Sequence, residues 1–149
     1  MRSNYSTILF DLDGTITDPQ VGITKSHQYA FQKMGIEVND PVKLLSFIGP
    51  PIRDNFRQYI TTEEDVEKTF GHYTEYYGKK GVYEVILYPE IESLFKLLQK
   101  KGKRMFVATS KTTFFAQKTI EYFGLEKYFE EIVGPYDDGR RSKIGRAHV

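Results

Sequence analysis

The chain has 149 residues, 40% of them hydrophobic and 28% charged, enough for one modest globular domain or one domain carrying a small insert. Lys plus Arg total 21 against 20 for Asp plus Glu, a net charge of +1, so the basic excess of a nucleic-acid binder is missing. There is no cysteine, which excludes a disulfide scaffold and a cysteine-ligated zinc. The apolar run ahead of the first acids, Ile8–Phe10, is too short for a signal peptide or a membrane span, and the expectation is a soluble, cytoplasmic protein.

Thr7 to Phe10 is β-branched and apolar without alternation, and predicts a central strand buried on both faces. It runs into Asp11, Leu12, Asp13, Gly14 and Thr15, and turn chemistry continues to Pro19. Ile23, His27, Ala30, Phe31 and Met34 then follow helical spacing, closed by Gly35. Pro41 to Phe47 predicts a short helix broken by Ile48–Pro51, and another opens at Pro51 with Ile52, Phe56, Tyr59 and Ile60. Thr62 with Asp65 has the form of a capping box, followed by Val66, Phe70, Tyr73 and Tyr77 at spacings of 4, 3 and 4.

From Val82 the pattern turns β-rich up to Pro89, which opens a helix carrying Ile91, Leu94, Phe95 and Leu98. Met105 to Ala108 predicts a second buried strand ending in Thr109 and Ser110, and Lys111 to Phe123 a helix capped by Gly124. Glu131 to Gly134 is a short third strand. Strand and helix alternate in this second half, which predicts a parallel α/β sheet interrupted after its first strand by an all-helical block.

Ligands of a parallel sheet bind beyond the carboxyl ends of its strands, so Asp11, Asp13, Thr109 and Ser110 are expected to share one crevice. Extended backbone would point the side chains at 11 and 13 the same way. Two carboxylates that close need a cation or a proton between them, and a hard cation such as Mg2+ suits them. One carboxylate can then attack phosphorus while the other handles the proton of the leaving oxygen. Gly14 would let the backbone approach closely and present N–H groups to phosphate oxygens. The plainer alternative for an Asp-x-Asp is a surface loop or a helix cap.

The string Ile8–Asp18, "ILFDLDGTITD", resembles the first motif of the haloacid dehalogenase superfamily of aspartate-nucleophile phosphatases. The stretch "LYPEIESLFKLLQKKGKRMFVATSK" is similar to the helix and second-motif strand of its phosphoglycolate phosphatase-like members, and "TDPQVGITKS" to members described as 5′-nucleotidase-like. The resemblance implies an α/β fold, a Rossmannoid parallel-sheet core with an inserted all-helical cap of the C1 type. Its expected boundaries are 1–17 and 86–143 for the core and 18–85 for the cap.

Carried over by position, the resemblance makes Asp11 the nucleophile and Asp13 the general acid/base, with Mg2+ held by Asp11 and the backbone carbonyl of Asp13. Thr15 after the glycine is typical of the phosphatase branch. Thr109 would hydrogen-bond the transferring phosphoryl group and Ser110 would add a neighbouring contact, the alternative for Thr109 being a strand-end helix cap. Lys143 falls in the place of the third-motif lysine. Arg53, in "FIGPPIR", could meet a second anionic group of the substrate, against the alternative of an exposed helix arginine. Lys111 is a weaker candidate beside them, since a lysine opening a helix is usually solvated. His27, His72 and the tyrosines at 73, 76, 77, 83 and 88 read as cap core or surface rather than ligands or a base-stacking platform.

The acidic fourth motif is not found, and Asp137 with Asp138 precedes the lysine and resembles a turn. Ile144–Val149, "IGRAHV", has no helical stripe and matches what one frame of a sequencing adapter would encode, which also leaves Lys143 insecure. The expectation is therefore a C-terminally truncated core with a non-native tail at 144–149, its first strand left with an open edge and exposed apolar faces, inactive or aggregating when expressed as written. For the whole protein the implied activity is Mg2+-dependent hydrolysis of a small phosphorylated metabolite, 2-phosphoglycolate first and a nucleoside 5′-monophosphate second. A sugar-phosphate mutase and a non-catalytic binding module are the alternatives. No nucleic-acid polymer or membrane is expected as a partner.

Overall fold

The structure, a computed structural model, describes residues 5–136. Lys143, Asp137, Asp138 and the tail at 144–149 lie outside the described residues. Contacts divide the chain into two compact units, one taking the chain up to Asp18 and again from Ile86, the other being Pro19–Val85.

The first unit is built on a parallel sheet of β1 (Thr7–Phe10), β4 (Arg104–Ala108) and β5 (Glu131–Val133), in the order β1-β4-β5. Phe10 pairs with Val107, and Val107 with Ile132, so the carboxyl ends of the three strands lie level. A second, antiparallel pair joins β2 (Thr17–Asp18) to β3 (Ile86–Leu87). Helices α5 (Ile91–Lys100) and α6 (Thr113–Tyr122) supply the crossovers. Leu12, Ile16, Phe95, Met105, Val107, Ala116, Ile120 and Leu125 form the buried core of this unit.

Three expectations are corrected here. β1 is not buried on both faces: among the described residues it forms one edge of the sheet, and Leu9 is 64% exposed. The β-rich stretch 82–89 contributes only Ile86–Leu87 as strand, outside the parallel sheet, because Gly81–Tyr83 is a single 3-10 turn. The helix expected from Lys111 starts at Thr113, so Lys111 lies in the loop before it.

The second unit is helical: α1 (Gln20–Lys33), α2 (Pro41–Leu45), α3 (Ile52–Arg57) and α4 (Glu63–Lys79). Its starts follow capping chemistry. Asp40 accepts the Val42 N–H ahead of α2, and Thr62 accepts the Asp65 N–H ahead of α4. Val66, Thr69, Tyr73 and Tyr77 form the buried face of α4. His27, Phe31, Phe47, Phe56 and Tyr73 make the aromatic centre of the unit.

Candidate active site

The chain leaves β1 at Asp11 and folds at once into a tight loop. The Leu12 carbonyl accepts the N–H groups of Thr15, Ile16 and Thr17 at 3.2, 2.9 and 3.1 Å, and the Gly14 N–H donates to the Thr17 carbonyl at 2.7 Å. Leu12 and Ile16 are fully buried and anchor the loop by its apolar residues. The Asp11 carboxylate is thereby left at the surface and that of Asp13 half-buried. Gly14 has φ +82°, and a Cβ there would meet nothing within 4 Å. What glycine supplies in the fold is the left-handed backbone rather than relief of a close approach.

The two acids have different surroundings. Asp11 is exposed and accepts the Leu12 N–H on Oδ1 at 2.7 Å. Asp13 is half-buried, and Lys111 Nζ stands 3.0 Å from its Oδ1. Burial pushes the Asp13 carboxyl above its ordinary value, the Lys111 ammonium pulls it down, and the Asp11 charge pushes it up again. Burial is the largest of the three.

Lys111 is the residue that the sequence reading undervalued. Its side chain is only 7% exposed, not solvated. The loop carrying it is tied to the end of β5. The Thr109 N–H donates to the Val133 carbonyl at 3.0 Å, the Lys111 N–H donates to Thr109 Oγ1 at 3.1 Å, and the Thr113 N–H donates to the Pro135 carbonyl at 3.0 Å. Thr109 is buried and is not the helix cap, a position that belongs to Thr112. A lysine directly after the polar pair that ends β4 was the only signal of this arrangement in the sequence.

Asp11, Asp13, Gly14, Thr15, Thr109, Ser110 and Lys111 all follow the carboxyl ends of β1 and β4. Thr15 and Ser110 are exposed there. Arg53 belongs to the helical unit, where its guanidinium grips Glu67 through Nε and Nη2 at 2.6 and 3.0 Å and lies 3.7 Å from the centre of the Phe70 ring. The described residues hold no cluster of three or more His, Cys, Asp or Glu able to bind a metal. Asp11 and Asp13 nonetheless offer hard oxygens and no nitrogen or sulfur, the donor type that magnesium takes while keeping several waters. No helix of the described residues is long and apolar enough to cross a membrane.

The model of the family described as haloacid dehalogenase-like hydrolase matches residues 8–143. The chain belongs to that family. Among curated relatives of this haloacid dehalogenase-like chain, a 5′-nucleotidase from Pseudomonas aeruginosa is 40% identical over 139 residues, covering 93% of the chain and 63% of the relative. Tyrosine-protein kinase PtkA from Mycobacterium tuberculosis is 34% identical over 138 residues, covering 92% of the chain and 47% of the relative. The chain thus spans between about half and two thirds of these relatives' lengths. A crystal structure described as a predicted phosphatase from Clostridium acetobutylicum superposes with a TM-score of 0.85 at 41% identity, covering 97% of this chain and 69% of that one. The parallel sheet with helices fits this family, as the sequence motifs had implied.

Proposed function

We propose that the whole protein is a Mg2+-dependent phosphomonoester hydrolase working through an aspartyl phosphate on Asp11. The observation that carries the reading is the unequal pair at the end of β1: an exposed carboxylate, Asp11, beside a half-buried one, Asp13, that is matched to a lysine. An exposed carboxylate suits attack on phosphorus, and a shielded neighbour suits proton traffic.

In the first step an Asp11 oxygen bonds to phosphorus, the ester P–O bond breaks, and Asp13 gives its proton to the departing oxygen. In the second step Asp13 takes a proton from water as the water oxygen attacks the acyl phosphate. Inorganic phosphate leaves, and both carboxyl groups return to their starting states. Mg2+, held by Asp11 and the Asp13 backbone carbonyl, would screen the charge between nucleophile and phosphate. Thr109 and Ser110 would contact the phosphoryl oxygens, and Lys143 would add a positive charge to the same group. Pro19–Val85 would serve as the cap.

The substrate is a small phosphorylated metabolite, and the name of the Pseudomonas relative puts nucleoside 5′-monophosphates beside 2-phosphoglycolate. Phosphate release by the whole protein from a panel of both classes, with and without Mg2+, tests the reading. Turnover that requires Mg2+ and disappears in Asp11→Asn is expected. Retained activity in Asp11→Asn refutes the assigned nucleophile, and a requirement for a bisphosphate activator moves the assignment to a mutase.

A further inference from the structure

We propose that Lys111 is a positioning residue for Asp13, and that Gly134 is the residue that lets it stand there. The proposal rests on the phosphomonoesterase reading above. A lysine in a loop ordinarily leaves its ammonium to water, because an ion out of water is costly unless it is paired. The Lys111 side chain is instead 7% exposed, with Nζ 3.0 Å from Asp13 Oδ1.

The backbone of Lys111 is placed as tightly as its ammonium. A Cβ at Gly134 would sit 2.1 Å from the Lys111 carbonyl oxygen and 3.1 Å from the Thr113 nitrogen, both main-chain atoms. Any side chain at 134 must therefore move the loop. The contact is clamped from both sides, since Thr113 Oγ1 donates to the Gly134 carbonyl at 2.8 Å and accepts the Gly134 N–H at 3.0 Å. Its main chain, pressed on Gly134 and bonded to Thr109 Oγ1, fixes the base from which the Lys111 side chain reaches Asp13.

The consequence is mechanical. With Oδ1 held by the ammonium, the Asp13 carboxyl does not have to reorient when its other oxygen exchanges a proton with the leaving group. Lys111 acts through Asp13 and touches no substrate. Its contribution should then grow with the leaving group's need for a proton, which a purely structural ion pair would not do.

The test compares 4-nitrophenyl phosphate, whose leaving group departs readily as an anion, with phenyl phosphate, whose leaving group needs the proton more. For the whole protein, kcat/KM reports formation of the aspartyl phosphate on each ester. Lys111→Met, close to lysine in volume, should lower kcat/KM for phenyl phosphate about tenfold more than for 4-nitrophenyl phosphate. Gly134→Ala should show the same bias, and the double variant should lose little beyond Lys111→Met alone. An equal loss on the two esters overturns the proposal and leaves the phosphomonoesterase reading intact. Failure of the unmodified protein to turn over either ester with Mg2+ removes that reading and this proposal with it. A second readout needs no activity: in protein labelled with 15N-lysine, one ammonium resonance should exchange slowly, vanish in Lys111→Met and shift in Asp13→Asn. Rapid exchange of every lysine ammonium in the unmodified protein overturns the proposal.

Discussion

His27 Nε2 and Asn55 Nδ2 lie 3.1 Å apart in the interior of the helical unit, both residues being fully buried. The other ring nitrogen, Nδ1, is 2.9 Å from the Ile23 carbonyl and must donate to it, so Nε2 is the acceptor for the Asn55 amide. Asn55 also donates to the Phe47 carbonyl at 2.8 Å, while the His27 ring stacks on that of Phe47. This neutral histidine therefore links α1 to α3 and to the end of the α2 loop. A proton on Nε2 would set two donors against each other.

Acid lability of the helical unit follows from that arrangement. Burial lowers the His27 pKa from 6.5 to about 4, while the Ile23 carbonyl pulls the other way. The unfolded chain thus binds a proton that the folded chain refuses, and stability falls as pH drops from 6.5 toward 4. The full difference is about 3 kcal/mol. Urea denaturation at several pH values should show this loss, and His27→Gln should flatten it. A slope unchanged by that substitution would dismiss His27 as its source.

Two glycines of the same unit should respond in opposite directions to alanine. A Cβ at Gly22 would fall 2.0 Å from the Gly81 carbonyl oxygen, where α1 packs on the turn after α4, and the atoms met are main chain. Gly22→Ala should cost more than about 2 kcal/mol, in the range of severe overpacking. Gly71 lies inside α4, is exposed, and a Cβ there meets nothing within 4 Å. Gly71→Ala should stabilise by about 0.5–1 kcal/mol through helix propensity. Denaturant midpoints of the two variants decide both statements.

How much of this was legible in the sequence depends on where each contact partner lies. Val66, Tyr73 and Tyr77 of the predicted α4 stripe and the Thr62 cap are local patterns that appear where spacing placed them, while Phe70 is only half-buried and Thr69 takes the buried place beside it. The stretch from Val82 misled because its β propensity is overridden by a tertiary contact: Gly81 is pressed against Gly22 and Val82 is buried, which holds a 3-10 turn. The exposure of Leu9 is not legible in the strand itself, whose apolar run reads as buried on both faces, but it accords with the open edge expected of a first strand that lacks flanking strands. At the candidate site, the turn at Gly14–Pro19 could be read from its residue types, whereas the extended backbone that alternation assumes through Asp13 gives way to a tight loop closed on the Leu12 carbonyl. The burial of Lys111 could not be read, because it depends on hydrogen bonds to Val133, Gly134 and Pro135 from the far side of α6.

Phe95 ties the sheet unit to the start of that loop. Its ring centroid lies 5.1 Å from Phe10, 5.0 Å from Phe129 and 5.7 Å from Tyr128, and the side chain is fully buried. Phe10 immediately precedes Asp11, so the cavity left by Phe95→Ala opens beside the strand end that carries the acids. A loss of about 3–5 kcal/mol is expected, and a smaller one for Phe95→Leu. Thermal unfolding of the two variants should rank in that order. Equal losses would mean that ring packing adds nothing beyond bulk.

Arg53 supplies the sharpest contrast between two readings of one residue. As a substrate contact it would need its guanidinium available, yet Glu67 takes Nε and Nη2 while the Phe70 ring covers a face. The pair is also largely exposed, so its Coulomb attraction is weakened by solvent and salt. Arg53→Ala should leave the melting temperature near that of the unmodified protein, and added salt should shrink the difference further. The kinetic expectation is as definite. Of the candidate substrates, 2-phosphoglycolate carries a carboxylate besides its phosphate, the second anionic group that Arg53 could meet. If Glu67 keeps the arginine occupied, KM for 2-phosphoglycolate changes by less than about threefold in Arg53→Ala and kcat stays put, the pattern of a residue outside the binding step. A rise confined to 2-phosphoglycolate, with simpler phosphomonoesters unaffected, would instead mean that Arg53 leaves Glu67 for the substrate. Glu67→Gln, which loosens that grip, should then lower the same KM.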